Sequence, residues 1–358
     1  MTGSIEFSYE ALPGRVVFNI GAARRQLAGE VDRLDISHLL LISTAAEAEL
    51  AQELAAPLGD RVCAHFTGVR PHVPNEVAEE ARSVAQESGA QALLSVGGGS
   101  TTGTAKAVAL SSGLPIVAVP TTYAGSEMTP VWGLTELGEK VTGTDRRVLP
   151  RTVVYDPALT FSLPVGLSTA SGLNALAHCV EAFWAPGRNP ITSLLAGEGI
   201  RAVTQGLPAV VIDGLDREAR SQLLYGAYLS GASFAVAGSG LHHKICHVLG
   251  GTFDLPHAET HAVVLPYVLA FNEPAIGDAA EPMARAFGCS RPLAGLMALE
   301  QQLDMPRSLS DLGMPEDGLE RAAALVGAKL PFDNPRPVKV SDILLLLERA
   351  WAGEDPST

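Results

Sequence analysis

Six of the nine histidines fall in one stretch of the chain: His178, His242, His243, His247, His257 and His261. On a helix, His243 and His247 are four residues apart and share a face, and Asn174 and His178 repeat that spacing in SGLNALAHCVEAFW. His257 follows a proline after a loop of about ten residues that contains two adjacent glycines. Two such pairs and a loop histidine can converge on one pocket. Three imidazoles and a carboxylate make a good divalent metal site, but the fourth residue here is Asn174, a neutral amide. Losing a negative charge beside a dication removes a large attraction in a low-dielectric pocket. His178, His243 and His257 can still hold a metal through three nitrogens. Alternatively, the set acts without one, as hydrogen-bond donors and acids around an oxyanion.

A second group of residues points to phosphate. Gly97, Gly98, Gly99 and Ser100 follow an apolar run and precede TTGTAKAVAL, a candidate helix. Consecutive glycines let the backbone approach a ligand closely. The N–H groups that open the helix then face that ligand, and the helix dipole favours an anion. A pyrophosphate is the natural occupant. The spacing is not GxGxxG, and the turn follows the third recognisable strand, so an ordinary dinucleotide fingerprint is absent. Thr121, Thr122 and Tyr123 leave the next strand and flank the same crevice, where the threonines can hold a ribose or phosphate oxygen. The turn Ser43–Thr44–Ala45–Ala46 carries no charge that would choose between a ribose hydroxyl and a 2′-phosphate.

The elements that must position these residues alternate in the first half. Apolar runs at His38–Thr44, Arg61–Phe66, Ala92–Gly98, Pro115–Thr122 and Arg151–Pro157 read as strands, with helical stretches such as Thr44–Gly59 and Pro74–Gly89 between them. Unbroken apolar strands alternating with helices predict a parallel sheet covered on both faces, which binds ligands at the carboxyl ends of its strands. Beyond Pro157 helices dominate: Ser168–Trp184, Pro190–Gly206, Asp216–Gly231, Leu241–Leu249, His261–Phe271, Pro292–Leu303 and Val340–Ala352. The expected organisation is an α/β dinucleotide-binding domain over 1–160 and an all-α catalytic domain over 161–358.

Composition bounds the function. The 358 residues suit roughly two domains, 47% are apolar, and the net charge of −14 argues against a nucleic-acid partner. No apolar run reaches the ~18 residues of a membrane span. No secretory signal is visible, and the scattered Cys63, Cys179, Cys246 and Cys289 read as reduced thiols, which together suggest a cytoplasmic protein.

The ordered set of motifs resembles the iron-containing alcohol dehydrogenase-like family, which shares its two-domain fold with dehydroquinate synthase. The likeness runs nearly end to end through VGGGS, the PTT loop, TVVYDPALTFSLP, SGLNALAH and GLHHKICHVLGGTFDLPHAETHAVVLPYVLAFN. Within the family the chain looks most like the maleylacetate reductases, through PTTYAGSEMTPVWGLTE, HVPNEV, GLNALAHCVEAFWAP and NPRPV. Matched motif by motif, the family's metal ligands fall on Asn174, His178, His243 and His257, and His247 matches a further histidine near substrate. The family's aspartate is missing, which implies a metal-free site.

The resemblance implies reduction of maleylacetate to 3-oxoadipate by NADH or NADPH in aromatic-compound catabolism, with halogenated maleylacetates as further substrates. The alternatives are a metal-dependent (iron or zinc) alcohol dehydrogenase and a dehydroquinate-synthase-like lyase. The implied catalytic residues are His243, His247, His178 and His257, with Asn174 orienting one of them. Cofactor contacts are expected from Gly97, Gly98, Gly99, Ser100, Thr121, Thr122 and Lys140, and contacts to the dicarboxylate substrate from Tyr123 and Lys244. The nicotinamide is expected to meet the imidazoles in the gap between the domains. A homodimer is expected by the same resemblance.

Overall fold

The computed structural model describes residues 6–12, 14–136 and 139–358. The chain divides into two compact units. One holds residues 14–164 with Gly214–Leu224, and the other Val165–Asp213, Tyr225–Thr358 and residues 6–12.

The first unit is built on a six-stranded parallel sheet. Its strands are β1 (Arg15–Phe18), β2 (Leu39–Ile42), β3 (Val62–Phe66), β4 (Ala92–Gly97), β5 (Ile116–Pro120) and β8 (Thr152–Tyr155), in the order β1-β8-β5-β4-β2-β3. Strands β2, β4, β5 and β8 are buried along their whole length, as a sheet covered on both faces requires. Helices α1 (Ala22–Asp32), α2 (Ala48–Ala55), α3 (Asn75–Glu87) and α4 (Gly99–Ser112) connect the strands. Leu27, Val31, Leu39, Leu41, Leu54, Leu94, Val96 and Val117 share one core, and burying each such side chain contributes roughly 2 kcal/mol.

The five expected strands are all present, so the parallel α/β reading holds. Three further strands escape a search for apolar runs. The edge strand β1 is short and half-exposed, while β6 (Val131–Glu136) and β7 (Glu139–Thr144) form a separate antiparallel ladder with a mixed pattern. The glycine turn therefore follows the fourth strand, not the third.

Asp156 ties the sheet to its first helix. Its carboxylate is fully buried and accepts the N–H groups of Gly21 (2.7 Å), Ala23 (3.1 Å) and Ala158 (3.1 Å). Gly21 takes φ +79° at the N-cap of α1, so the side-chain acceptor comes from Asp156 across the sheet edge. Gly214–Leu224 belongs to this unit because the buried Arg220 guanidinium donates to Gly214 O, Leu163 O and the Tyr123 hydroxyl.

The second unit is helical: α5 (Val165–Ala182), α6 (Pro190–Ile212), most of α7 (Arg217–Ala237), α8 (Leu241–Phe253), α9 (His257–Asn272), α10 (Ala280–Phe287), α11 (Pro292–Glu300), α12 (Leu319–Gly327) and α13 (Val340–Ala352). Helix α5 is buried from Ser168 through Ala182 apart from a partly exposed Ser171, as its run of small and apolar residues permits. Helix α6 starts with a capping box between Asn189 and Thr192, with Pro190 at its first position. Helix α8 continues through Gly250 and Gly251 instead of ending at Leu249, which leaves only residues 254–256 before α9.

Replacing Asp156 with Ala would strand three N–H donors, that of Ala23 buried and those of Gly21 and Ala158 partly so. The expected cost is about 2–4 kcal/mol of unfolding free energy, measured by urea denaturation. A loss below about 1 kcal/mol would remove Asp156 from the structural account.

Candidate active site

In the sheet unit, Gly97 closes β4 and Gly98 is the N-cap of α4, so Gly99 and Ser100 open the helix. Gly97 has φ +152°, and a Cβ there would lie 2.4 Å from Thr101 Oγ1 and 2.8 Å from Glu47 Oε2. A Cβ on Gly98 would meet the Thr122 methyl at 2.9 Å. The turn therefore needs its glycines, and the N–H groups of the first α4 turn form an anion-binding concavity. Thr121 sits where β5 ends and donates its hydroxyl to Glu47 Oε1 at 2.7 Å. Beneath this edge the buried Lys106 ammonium donates to the carbonyls of Ser126 (2.6 Å), Thr129 (2.8 Å) and Val131 (2.7 Å) and so fixes the segment after β5.

Tyr123 and Lys140 both belong to the sheet unit. Tyr123 is fully buried and its hydroxyl accepts from Arg220, so it braces the turn instead of lining an open substrate pocket. Lys140 lies on β7 with its chain over Gly133, and burial pushes its ammonium below the usual lysine range. Arg147 is paired with Asp145.

In the helical unit, α5 contributes Asn174, His178 and Glu181; α8 contributes His242, His243 and His247; and α9 contributes His257 and His261. The rings form one chain of contacts. His178 stacks on His243 with centroids 4.9 Å apart, His243 meets the edge of His261 at 4.8 Å, and His261 meets His257 at 4.5 Å. His247 lies 6.1 Å from His243, a turn further along α8. Phe234 of α7 packs against both His178 and His243 at 4.7 Å. The four expected histidines are thus brought together. Asn174 is buried beside His178 on α5, but its Oδ1 has no hydrogen-bond partner among the described residues, so the expected orienting bond to a histidine is not formed there.

Three further members complete this cluster: Glu181, which the spacing does not reveal, and His242 and His261, which it places in the histidine-rich stretch without a role. Glu181 is fully buried; Oε1 accepts the His242 backbone N–H at 2.8 Å and Oε2 lies 2.5 Å from His243 Nδ1. Its signal was an acidic residue inside the apolar run AHCVEAFW. His242 and His261 are also fully buried, with His242 Nε2 2.9 Å from His261 Nδ1. His257 is the first residue of α9 instead of a loop residue, which places His261 one turn later on the same face.

Burial sets the charge of these groups. It pushes His178 and His242 down to about 3, and the His243 charge adds to the effect. His261 is held well below the ordinary histidine range by burial and then by its histidine neighbours. These rings are neutral near pH 7 and offer N–H donors, not positive charge. Burial raises Glu181, while His242 and the N–H groups of Gly240, His242 and His243 pull it back.

The chain matches two family models: "Iron-containing alcohol dehydrogenase" over residues 13–157, and "Fe-containing alcohol dehydrogenase family, C-terminal" over residues 168–351. The chain belongs to the iron-containing alcohol dehydrogenase family. It is an oxidoreductase. It is 49% identical over 354 residues to the maleylacetate reductase of Sphingobium indicum, covering 99% of this chain and 100% of that protein. It is 48% identical to the maleylacetate reductase of Burkholderia cepacia over 98% and 99% of the two chains. Among solved structures, the maleylacetate reductase of Rhizobium sp. strain MTP-10005 matches with a TM-score of 0.92 and 45% identity, over 98% and 99% of the chains. A sulfoacetaldehyde reductase of Bifidobacterium kashiwanohense solved with NAD+ shares the fold at 22% identity and a TM-score of 0.88, over 97% and 99% of the chains.

The family name raises the question of iron. Among the described residues one trio has donor atoms within 4.8 Å of one another: His242, His243 and His261. It differs from the expected trio of His178, His243 and His257 because His261, not His257, is the buried residue at the start of α9. The trio contains no carboxylate, and His242 and His261 already spend one nitrogen each on their mutual hydrogen bond. Asn174 adds an amide oxygen without charge. This donor set is a poor fit for a resident ferrous ion.

The neutral rings have a measurable consequence. Unfolded histidines take up protons near pH 6.5, and His178 and His242 refuse them until about 3. Each ring contributes stability that is present above pH 6.5 and lost as pH falls toward 3, by about 1.4 kcal/mol per pH unit. Glu181, raised by burial, works in the opposite direction, so the rings are best read one at a time. Imidazole nitrogen shifts of His178, His242 and His261 are expected to stay in the neutral form from pH 8 to pH 5, while the same rings titrate in urea. Titration of these rings in the folded protein near pH 6.5 would overturn the assignment.

Proposed function

We propose that the chain reduces maleylacetate to 3-oxoadipate at the expense of NADH or NADPH, without a catalytic metal. The observation that carries this reading is its near-half identity, over essentially its whole length, to several maleylacetate reductases. The donor set of the histidine cluster agrees with it. The glycine turn at the β4 end supplies a seat for the pyrophosphate, with Ser100, Thr121, Thr122 and Lys140 as further contacts.

The substrate is an enone with two carboxylates. The bound dinucleotide supplies a hydride to the carbon β to the ketone, and the electron pair of the C=C bond moves onto the ketone oxygen. The chain must then stabilise an enolate and deliver one proton to the α carbon. Neutral imidazole N–H groups suit the first task, since preorganised donors in a dry site need no reorganisation. His243 suits the second as an imidazolium: Nδ1–H donates to the Glu181 carboxylate, the Nε2 proton passes to the α carbon, and the ring is left as the neutral Nδ1–H tautomer. Glu181 holds that ring in one orientation and tautomer. His247, half-buried on the next turn, is the other proton donor available. Where the attacked carbon bears a halogen, hydride addition followed by halide loss regenerates an enone, and a second hydride completes the reduction.

The carboxylates of the substrate need cations. Lys244 is half-buried at the i,i+3 position to His247, with its ammonium 5.4 Å over the Phe332 ring. Its charge lies close enough to Lys329 to add to the lowering that burial produces there. Two neighbouring cations are a suitable seat for a carboxylate.

The protein is further proposed to be a cytoplasmic homodimer. No described helix is long and apolar enough to cross a membrane, and all four cysteines are free. Leu194 and Ile212 of α6 are 71% and 87% exposed, apolar surface that a second copy can cover.

Two experiments test the reading. Purified protein is expected to oxidise NADH or NADPH with maleylacetate equally well with and without chelator, and Asn174→Asp is expected to raise the metal found by elemental analysis. Activity abolished by chelator and restored by Fe²⁺ or Zn²⁺ would favour the metal-dependent alcohol dehydrogenase. His243→Ala is expected to lower kcat about 10²-fold or more, the range for losing a general acid. An unchanged kcat would take His243 out of the mechanism.

A further inference from the structure

Glu47 lies one residue beyond the uncharged turn Ser43–Ala46, just before α2. Its side chain bridges three strand ends. Oε2 accepts the Thr44 hydroxyl at 2.9 Å after β2, and Oε1 accepts the Thr121 hydroxyl at 2.7 Å after β5. Between them, Oε2 lies 2.8 Å from where a Cβ would stand on Gly97 at the end of β4. Strands β2, β4 and β5 are adjacent and parallel, so the carboxylate is set across their carboxyl ends, where ligands of open α/β sheets bind. No lysine or arginine pairs with it among the described residues. The residue is half-buried, so solvent screens it only in part.

An unneutralised carboxylate in that position discriminates between anionic ligands. Both oxygens already accept hydroxyl hydrogens, and a carboxylate has about four acceptor sites, of which the threonines occupy two. The remaining sites suit a ribose diol. A phosphate in the same place meets a like charge, which costs far more than a hydroxyl gains. NADH and NADPH differ only there: one carries a 2′-hydroxyl and the other a 2′-phosphate.

We infer that Glu47, held by Thr44 and Thr121 against Gly97, is the residue that selects the cofactor, accepting the ribose 2′-hydroxyl of NADH and rejecting the 2′-phosphate of NADPH. This rests on the reading that the glycine turn binds a nicotinamide dinucleotide. The neutral turn before it suggests use of both cofactors. Glu47 removes that neutrality through the tertiary fold, since its partner Thr121 is remote in the chain.

The test is a binding titration of the full chain, without maleylacetate, following the fluorescence of NADH and of NADPH. Wild-type protein is expected to bind NADH at least tenfold more tightly. Glu47→Gln keeps hydrogen bonds to both threonines and removes the charge. It is expected to shrink the NADPH-to-NADH ratio of Kd at least fivefold, mainly by tightening NADPH, with an unchanged circular dichroism spectrum. Equal or better binding of NADPH by wild type would overturn the proposal without any variant. So would an unmoved ratio in the variant, the result expected of a merely structural tie, or equal tightening of both cofactors, which would place the charge at the pyrophosphate. Failure of wild type to bind either dinucleotide would overturn the cofactor reading instead.

Discussion

The helical unit depends on a carboxylate buried away from bulk solvent. Glu181 is fully buried on α5, and a buried ion costs several kcal/mol unless hydrogen bonds replace its hydration. The replacement comes from the first turn of α8, where the His242 N–H and the His243 ring meet its two oxygens. The start of a helix carries partial positive charge, so the carboxylate sits where the backbone favours it. The arrangement also dictates its surroundings: a Cβ on Gly240 would lie 2.9 Å from Oε1, which leaves glycine as the residue that can enter the helix there. Because α5 also carries Asn174 and His178, the bond that joins α5 to α8 sets the spacing of the ring cluster as a whole.

Much of this was legible in the chain. Strands β2, β3, β4, β5 and β8 announce themselves as apolar runs because a covered parallel sheet needs apolar residues on both faces. Helix α13 was bounded correctly from its periodicity. The i,i+4 spacing found the shared faces of Asn174 with His178 and of His243 with His247. What was lost was lost for physical reasons. Strand β1 has one face in solvent, and β6 and β7 form a two-stranded ladder outside the main sheet, so neither shows an unbroken run. Gly250 and Gly251 look like a loop, yet α8 runs through them under tertiary packing that outweighs their propensity.

The same distinction applies to the sites. Tyr123, judged by its place after β5, reads as a substrate contact, but its exposure is decided by Arg220, which is distant in sequence. Glu181 and Glu47 were invisible for a related reason. Each acts through partners remote in the chain: α8 in the first case and the ends of β4 and β5 in the second. Local spacing identifies residues on one element. It does not identify a carboxylate whose role comes from another element packing against it.

The charge states of the cluster join these points to the chemistry. A negatively charged ligand strengthens the hold on a dication, and here the buried rings are neutral while the carboxylate faces His243 Nδ1. An alkoxide is a strong base, and a Lewis acid helps most when such a charge develops. An enolate spreads its charge over oxygen and carbon and asks for less, so neutral N–H donors held rigidly in an apolar surround suffice. Phe234, packed against His178 and His243, supplies part of that surround. Under the proposed metal-free reduction, an amide at Asn174 in place of an acidic ligand is tolerable for an enone and would be costly for an alcohol.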